Sequence, residues 1–369
     1  MQQVNEKSTI EEWLAGATMV SIMLLGLWQA VASMRHPALA DVPHRWEDIH
    51  SGVGTDKFSK HLDNHLPWRG DLIAWANAGR FVLTRGAGDQ VRLGKDEWLF
   101  SVEELEFHPQ SEEHLAQRVV MVKLIEEMLT KQGISLLIVP VPDKARIHAE
   151  KTSQGHYPAW YASRYASLVQ ALRAQGIPTV DVVDALTQAA KDGFVYYRTD
   201  THWNQAGAHS VAKSVARQVQ ASGLSLPVTE FVTDSGQQPT ERVGDLLNMM
   251  GLSSVPNWAR PDPDWETPQS TRKATASASL GLLGDASVPV VLVGTSYSLR
   301  ANFHGQLQEQ LKAEVLNVAK DGAGFIQSMN EYLKDDAFKT APPKLIVWEI
   351  PERVFSPALT ELERKAPPW

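Results

Sequence analysis

Charge disappears from the chain between Trp13 and Met34. That stretch, WLAGATMVSIMLLGLWQAVASM, is long enough to cross a bilayer core of ~30 Å as a helix. No later segment qualifies, so the remainder is expected to be soluble. From about Arg35 to Gly94, Pro, His and charged residues surround apolar-periodic pieces, one of which predicts a helix near Leu72 to Leu83. This region reads as a stalk and lead-in. Glu97-Trp98-Leu99-Phe100 opens the globular part, and spaced apolar positions predict a helix from about His114 to Gln132. Then ISLLIVPVP, Ile134 to Pro142, is a continuous apolar run of the kind found in a buried parallel strand.

The alternation repeats. Trp160 to Gln175 is helix-like and Ile177 to Val183 strand-like, and Asn204 can cap a helix running to about Ala221. Val288 to Val293, Glu314 to Val318 and Leu345 to Ile350 read as strands, with a helix over Phe325 to Leu333. The predicted fold is α/β: a parallel sheet covered by helices on both faces, with ligands bound beyond the carboxyl ends of strands. Between about Ser222 and Ser287 the pattern lapses into Pro, Gly, Ser, Thr and Asp. An irregular insert of that length reads as either a substrate-covering loop or surface decoration. The expected organisation is a cytoplasmic N-terminus over 1–12, a transmembrane anchor over 13–34, a stalk over 35–94 and a catalytic domain over 95–369 carrying that insert.

Composition narrows the function. The net charge of -8, with no basic run, argues against nucleic-acid binding. With Cys 0 there is no disulfide, thiolate nucleophile or cysteine metal site. Lys7 is the lone basic residue before the span, against Glu6, Glu11 and Glu12, so charge orients the span weakly. Its position near the start favours a signal anchor with an exported body. A cleaved signal peptide is the rival, because Ala38-Leu39-Ala40 resembles a cleavage site before Asp41. The acidic leader and the long apolar run favour the uncleaved anchor.

Two short stretches carry candidate chemistry. Val-Leu-Val-Gly-Thr-Ser-Tyr-Ser, Val291 to Ser298, puts Ser296 between a strand and a helix, where N–H groups favour developing negative charge. Alone, that serine could equally cap the helix or hold a phosphate. Tyr-Tyr-Arg-Thr-Asp-Thr-His-Trp-Asn, Tyr196 to Asn204, holds Asp200 and His202 two apart, on one side if the backbone is extended. The carboxylate can then fix the imidazole tautomer and raise its basicity. A metal pair is the competing reading, lowered because no third ligand stands at metal spacing nearby. His209, on the following helix, reads as structural or solvated.

Taken together, Gly94 to Phe100, Val139 to Arg146, Tyr196 to Gly207, Val243-Gly-Asp-Leu246, Gly294 to Ser298 and Val347 to Arg353 resemble the AlgJ/AlgX-like alginate O-acetyltransferase family. These are SGNH-hydrolase-like proteins that acetylate exported bacterial polysaccharides, alginate in some and cellulose in others. The resemblance implies a triad of Ser296, His202 and Asp200, in the reversed chain order of a circularly permuted SGNH fold. The chain stops soon after the last predicted strand, so its layout is expected to follow the anchored AlgJ branch, which lacks a carbohydrate-binding module. Tyr197, Arg198, Trp203 and Tyr297 are candidates for lining the site, or for packing, and Gly322 or Gly324 for a second oxyanion donor. No cofactor or metal is expected. The resemblance implies a periplasmic body on a single-pass inner-membrane anchor. Its expected partners are a membrane-bound O-acyltransferase that supplies acetyl groups, a polysaccharide acceptor and other exopolysaccharide synthesis and secretion subunits. A periplasmic acetyl esterase and a non-catalytic scaffold remain the alternatives.

Overall fold

The computed structural model describes residues 3–43, 45–274 and 288–365. The chain divides into two units, Met1–Gly79 and Arg80–Trp369. In the first, helix α1 runs over Gln3–Ser33 and contains the expected apolar stretch. Helix α2, Val53–His65, follows, and α3, Arg69–Thr84, covers the expected Leu72 to Leu83 segment and leads out of the unit. The His61 ring nitrogen Nε2 lies 3.0 Å from the Ser33 carbonyl, tying α2 to the end of α1.

The second unit begins with a small antiparallel pair, β1 (Val91–Leu93) and β2 (Leu99–Ser101). Helix α4 (Ser111–Lys131) leads to β3 (Ser135–Val141), and α5 (Arg164–Ala174) and α6 (Val183–Ala189) follow. Helix α7, Gln205–Ala221, starts at Asn204, whose side chain accepts the N–H groups of Ala206 and Gly207 as expected of a cap. After the insert come β8 (Val290–Val293), α9 (Phe303–Leu311), β9 (Val315–Asn317), α10 (Gln327–Lys334) and β10 (Leu345–Pro351). The main sheet is parallel in the order β3-β10-β8-β9. Side chains alternate across it, so its continuous apolar runs feed two cores. Leu137, Val139, Leu292 and Val347 pack with α7 and α9, and Ile138, Val291, Val293 and Trp348 with α4, α5 and α10.

Two expectations are corrected. Ile177 to Val183 is not a strand: it makes one parallel bridge, Thr179 to Ile138, before α6 starts at Val183. Pro178 has no N–H to extend a ladder. The insert is not irregular either. It forms two antiparallel pairs, β4 (Phe231–Ser235) with β7 (Gln269–Lys273) and β5 (Thr240–Arg242) with β6 (Asp264–Glu266), plus helix α8 (Asp245–Met249). These strands are short and polar, so they leave no apolar alternation to read. The last part of the expected insert, 275–287, and the tail over 366–369 lie outside the described residues.

Candidate active site

Strand β8 delivers Ser296 to the carboxyl edge of the sheet, where it starts a four-residue 3-10 turn, Ser296–Leu299. The turn is fastened from β10. Fully buried Glu349 accepts the Thr295 N–H at 2.7 Å, the Thr295 hydroxyl at 3.1 Å and the Ser298 hydroxyl at 3.0 Å. Burial pushes this carboxyl up, and those hydrogen bonds pull against the shift. Gly294 is required by close approach: a Cβ there would meet the Glu349 carboxylate and the Ser298 hydroxyl.

The other half of the site is a tight hairpin closed by the Tyr196–Trp203 bridge and by the Tyr197 N–H donating to the His202 carbonyl at 3.1 Å. The backbone between them is bent, which corrects the extended reading of Asp200 and His202. The Asp200 carboxylate turns back on its own chain, as Asp side chains do in turns. Its Oδ1 accepts the His202 N–H at 2.9 Å and lies 2.5 Å from Nδ1 of the same imidazole. On the far side of the ring, Nε2 lies 2.6 Å from the Ser296 hydroxyl. Serine, imidazole and carboxylate thus form one unbroken line of hydrogen bonds, joining segments 94 residues apart in sequence.

Groups that the sequence reading passed over hold this line in place. Arg242 of β5 donates to Asp200 Oδ2 at 3.1 Å, and the Asp245 N–H, at the head of α8, donates to the same oxygen at 3.3 Å. Burial alone would push the Asp200 carboxyl up. The His202 hydrogen bond and the charges of His202 and Arg242 outweigh burial and hold it well below the usual carboxylate range. The Asp245 carboxylate accepts the Thr201 N–H at 2.7 Å, and Asp264 of β6 accepts the Arg198 and Thr199 N–H groups at 2.7 and 2.9 Å. From beneath, buried Lys144 donates to the carbonyls of Leu99, Arg198 and Asp200. Lys144, Asp245 and Glu349 lie inside family-like segments of the sequence, and Lys144 also follows the carboxyl end of the predicted strand Ile134 to Pro142.

Asp200, His202 and Asp245 also bring three potential ligand atoms within 4.8 Å of one another. Asp200 and Asp245 spend their oxygens on N–H and O–H donors, and the Arg242 guanidinium stands beside them. That donor set suits an oriented imidazole better than a bound cation.

The remaining candidates separate by burial. Trp203 and Tyr297 are fully buried and pack together, with ring centroids 5.0 Å apart. They are packing residues and not a lining surface. Tyr297 also meets the His202 ring edge-on at 4.7 Å and donates to the Thr201 carbonyl at 2.8 Å, bracing the hairpin. Tyr197 and Arg198 border a cleft of about 530 Å³ shared with Trp265 and Glu266 on the outer side of the hairpin. Gly322 and Gly324 lie in an exposed loop at positive φ, and among the described residues neither hydrogen-bonds Ser296. His209 meets Gln306 at 2.8 Å on the side of α7, a structural role as expected.

With this geometry established, comparison with known proteins gives a consistent result. Residues 91–352 match the family described as SGNH hydrolase-like domain, acetyltransferase AlgX. The probable alginate O-acetylase AlgJ of Pseudomonas aeruginosa is 34% identical, over 94% of this chain and 90% of its own length. The alginate biosynthesis protein AlgX of Azotobacter vinelandii is 30% identical, over 74% of this chain and 56% of its own. Among solved structures, the O-acetyltransferase domain of Pseudomonas putida AlgJ superposes with a TM-score of 0.66 at 32% identity, covering 76% of this chain and 96% of that domain.

Proposed function

Because this chain belongs to the SGNH hydrolase-like acetyltransferase family of AlgX and AlgJ, we propose that it O-acetylates exported alginate through an acetyl-Ser296 intermediate. The observation that carries the reading is the continuous hydrogen-bonded line from Asp200 through His202 to Ser296. In the first half-reaction His202 Nε2 takes the Ser296 proton while Oγ bonds to the acetyl carbonyl carbon of the donor. The bond to the donor's leaving group breaks, and that group departs with the proton held by His202. In the second, a sugar hydroxyl gives its proton to His202 and attacks the acetyl-serine. The acetyl group moves to the sugar and Oγ recovers the proton. Asp200 stays ionised, fixing the imidazole tautomer and balancing its charge. The Ser296 N–H, at the head of its turn, is one donor to the transient oxyanion.

The curated relatives are named for alginate, which supports that polymer over cellulose as acceptor. Helix α1 serves as the membrane anchor and places the body in the periplasm, beyond the reach of cytoplasmic acetyl-CoA. The acetyl group is therefore handed over by a multispanning membrane-bound O-acyltransferase held beside the anchor, with other polysaccharide synthesis and secretion subunits delivering the acceptor.

Ser296→Ala is expected to abolish polymer acetylation in cells and hydrolysis of a small acetyl ester by purified protein, with the fold intact. Asp200→Asn or His202→Ala lowers either activity by about 10³-fold or more. Near-normal acetylation by the Ser296→Ala protein would rule out the covalent mechanism. Incubating the enzyme with an activated ester and oligosaccharides tests transfer: mass spectrometry is expected to find acetylated sugar. Acetate release alone, under every acceptor tried, would make the protein an esterase.

A further inference from the structure

The first unit carries an apolar surface that neither the catalytic reading nor the anchor uses. Between Leu72 and Leu83, helix α3 has only Asn77 and Arg80 as polar side chains. Ala74 and Ala78 are buried, which accounts for one face. The opposite face is apolar as well. Leu72, Trp75 and Ala76 recur at spacings of three and four and are exposed, with Leu72 at 48% and neighbouring Ile73 at 44%. A helix apolar on both faces is buried in protein or meets lipid. Trp46 and Ile49, on the short helical turn Trp46–His50, add further exposed apolar area to the unit.

The depth of this surface is fixed by one contact. The ring of Trp68, one residue ahead of α3, lies 5.0 Å from that of Trp28 on α1, and both rings stay about half exposed. Trp28 stands five residues before the end of the apolar span Trp13–Ser33, about 7.5 Å along the axis at the helical rise. A span of that length fills the hydrocarbon core, so Trp28 sits about 7.5 Å inside its edge, within the roughly 5–10 Å depth that interfacial helices reach. Trp68 shares that depth, and α3 starts from it.

We propose that the start of α3 is a second membrane-contacting element: an interfacial foot with Leu72 and Ile73 inserted at the headgroup–acyl boundary of the bilayer that α1 crosses. The proposal rests on the reading of α1 as an anchor and adds to it. Apolar side chains placed at the headgroup–acyl boundary bind through the apolar area they bury there. The foot fixes how the lead-in to the body leaves the membrane, a constraint a lone spanning helix cannot supply.

The chain has no native cysteine, so single cysteines can carry a nitroxide label at chosen sites. The full chain, reconstituted in phosphatidylethanolamine–phosphatidylglycerol vesicles, is labelled in turn at Leu72, at Ile73, at Met23 within the span and at exposed Asp63 on α2. Paramagnetic resonance then compares collision with oxygen, which concentrates in lipid, and with a water-soluble nickel chelate. The expected result is a severalfold higher oxygen-to-nickel ratio at Leu72 and Ile73 than at Asp63. Ready collision with nickel at Leu72 and Ile73, while Met23 reads as lipid-exposed, would overturn the foot and leave the anchor standing. Exclusion of both reagents there would also overturn it, by showing a protein cover in place of lipid. A water-exposed Met23 would refute the anchor itself, and with it the foot, whose depth that anchor sets.

Discussion

At the scale of residues, the hydrogen-bonded line of Ser296, His202 and Asp200 was legible because short motifs display groups of the kind that acyl chemistry would use. Their supports were not. Arg242 and Asp245 act on Asp200 from 42 and 45 positions away, and Glu349 reaches Thr295 across 54. Family-like segments include Asp245 and Glu349, but nothing in a linear chain marks which residue each one meets, and Arg242 lies outside those segments. Arg242→Gln tests the clamp. Removing that charge is expected to lower kcat by about 10-fold, less than loss of a triad member, which costs ~10³-fold. A carboxyl held low when folded stabilises the protein above its unfolded pKa, and that stability fades as pH falls toward the folded value. The Arg242→Gln protein is therefore expected to lose structure at a higher pH than wild type in an acid titration followed by circular dichroism. Glu104 gives the opposite sign. Burial, then the nearby Asp143 carboxylate, raises its carboxyl from 4.5 to about 8. The folded state thus holds a proton that the unfolded chain releases, and this group erodes stability as pH rises from about 4.5 toward 8. In urea unfolding at pH 6 and pH 8, Glu104→Gln is expected to remove that part of the decline.

At the scale of elements, strands buried on both faces announced themselves. Ile134 to Pro142 and Leu345 to Ile350 proved correct to within two residues, because continuous β-branched runs bounded by polar residues fit little else. Ile177 to Val183 misled because its apolar content serves the core without a ladder. The insert misled more seriously. Its strands present polar side chains on open faces, so β5 and β6 looked like loop, yet Arg242, Asp264 and Glu266 lie on them. Gly244, at the turn from β5 into α8, shows how closely that insert is fitted. A Cβ at this position would collide with the backbone carbonyl of Thr199, one residue before Asp200. Gly244→Ala is expected to cost about 1–3 kcal/mol of stability, as overpacking does. It is also expected to lower esterase activity beyond what its folded fraction explains, measured on the same sample by thermal melting and ester hydrolysis.

At the scale of the whole molecule, the hydrogen-bonded line and the apolar span fall in different units. The Ser296–His202–Asp200 line and its supports all lie in the unit Arg80–Trp369, while the apolar span lies in Met1–Gly79. Replacing residues 1–34 with a cleavable export signal is expected to leave hydrolysis of small esters by the purified protein unchanged and to abolish polymer acetylation in cells. Normal acetylation by the released body would show that a freely diffusing enzyme can collect acetyl groups. The strand order carries a consequence in time. β10 is the last strand of the sheet to be synthesised, yet it occupies an inner position, between β3 and β8. A chain made from its amino end presents the Asp200–His202 hairpin first and Ser296 later. The place between β3 and β8 stays empty until residues 345–351 arrive. Glu349, which fastens the serine turn, travels on that strand. Such long-range closure comes late in folding. The serine turn is thus fastened only after β10 has joined the sheet, so a chain cut before residue 345 is expected to form the Asp200–His202 hairpin without a fixed Ser296.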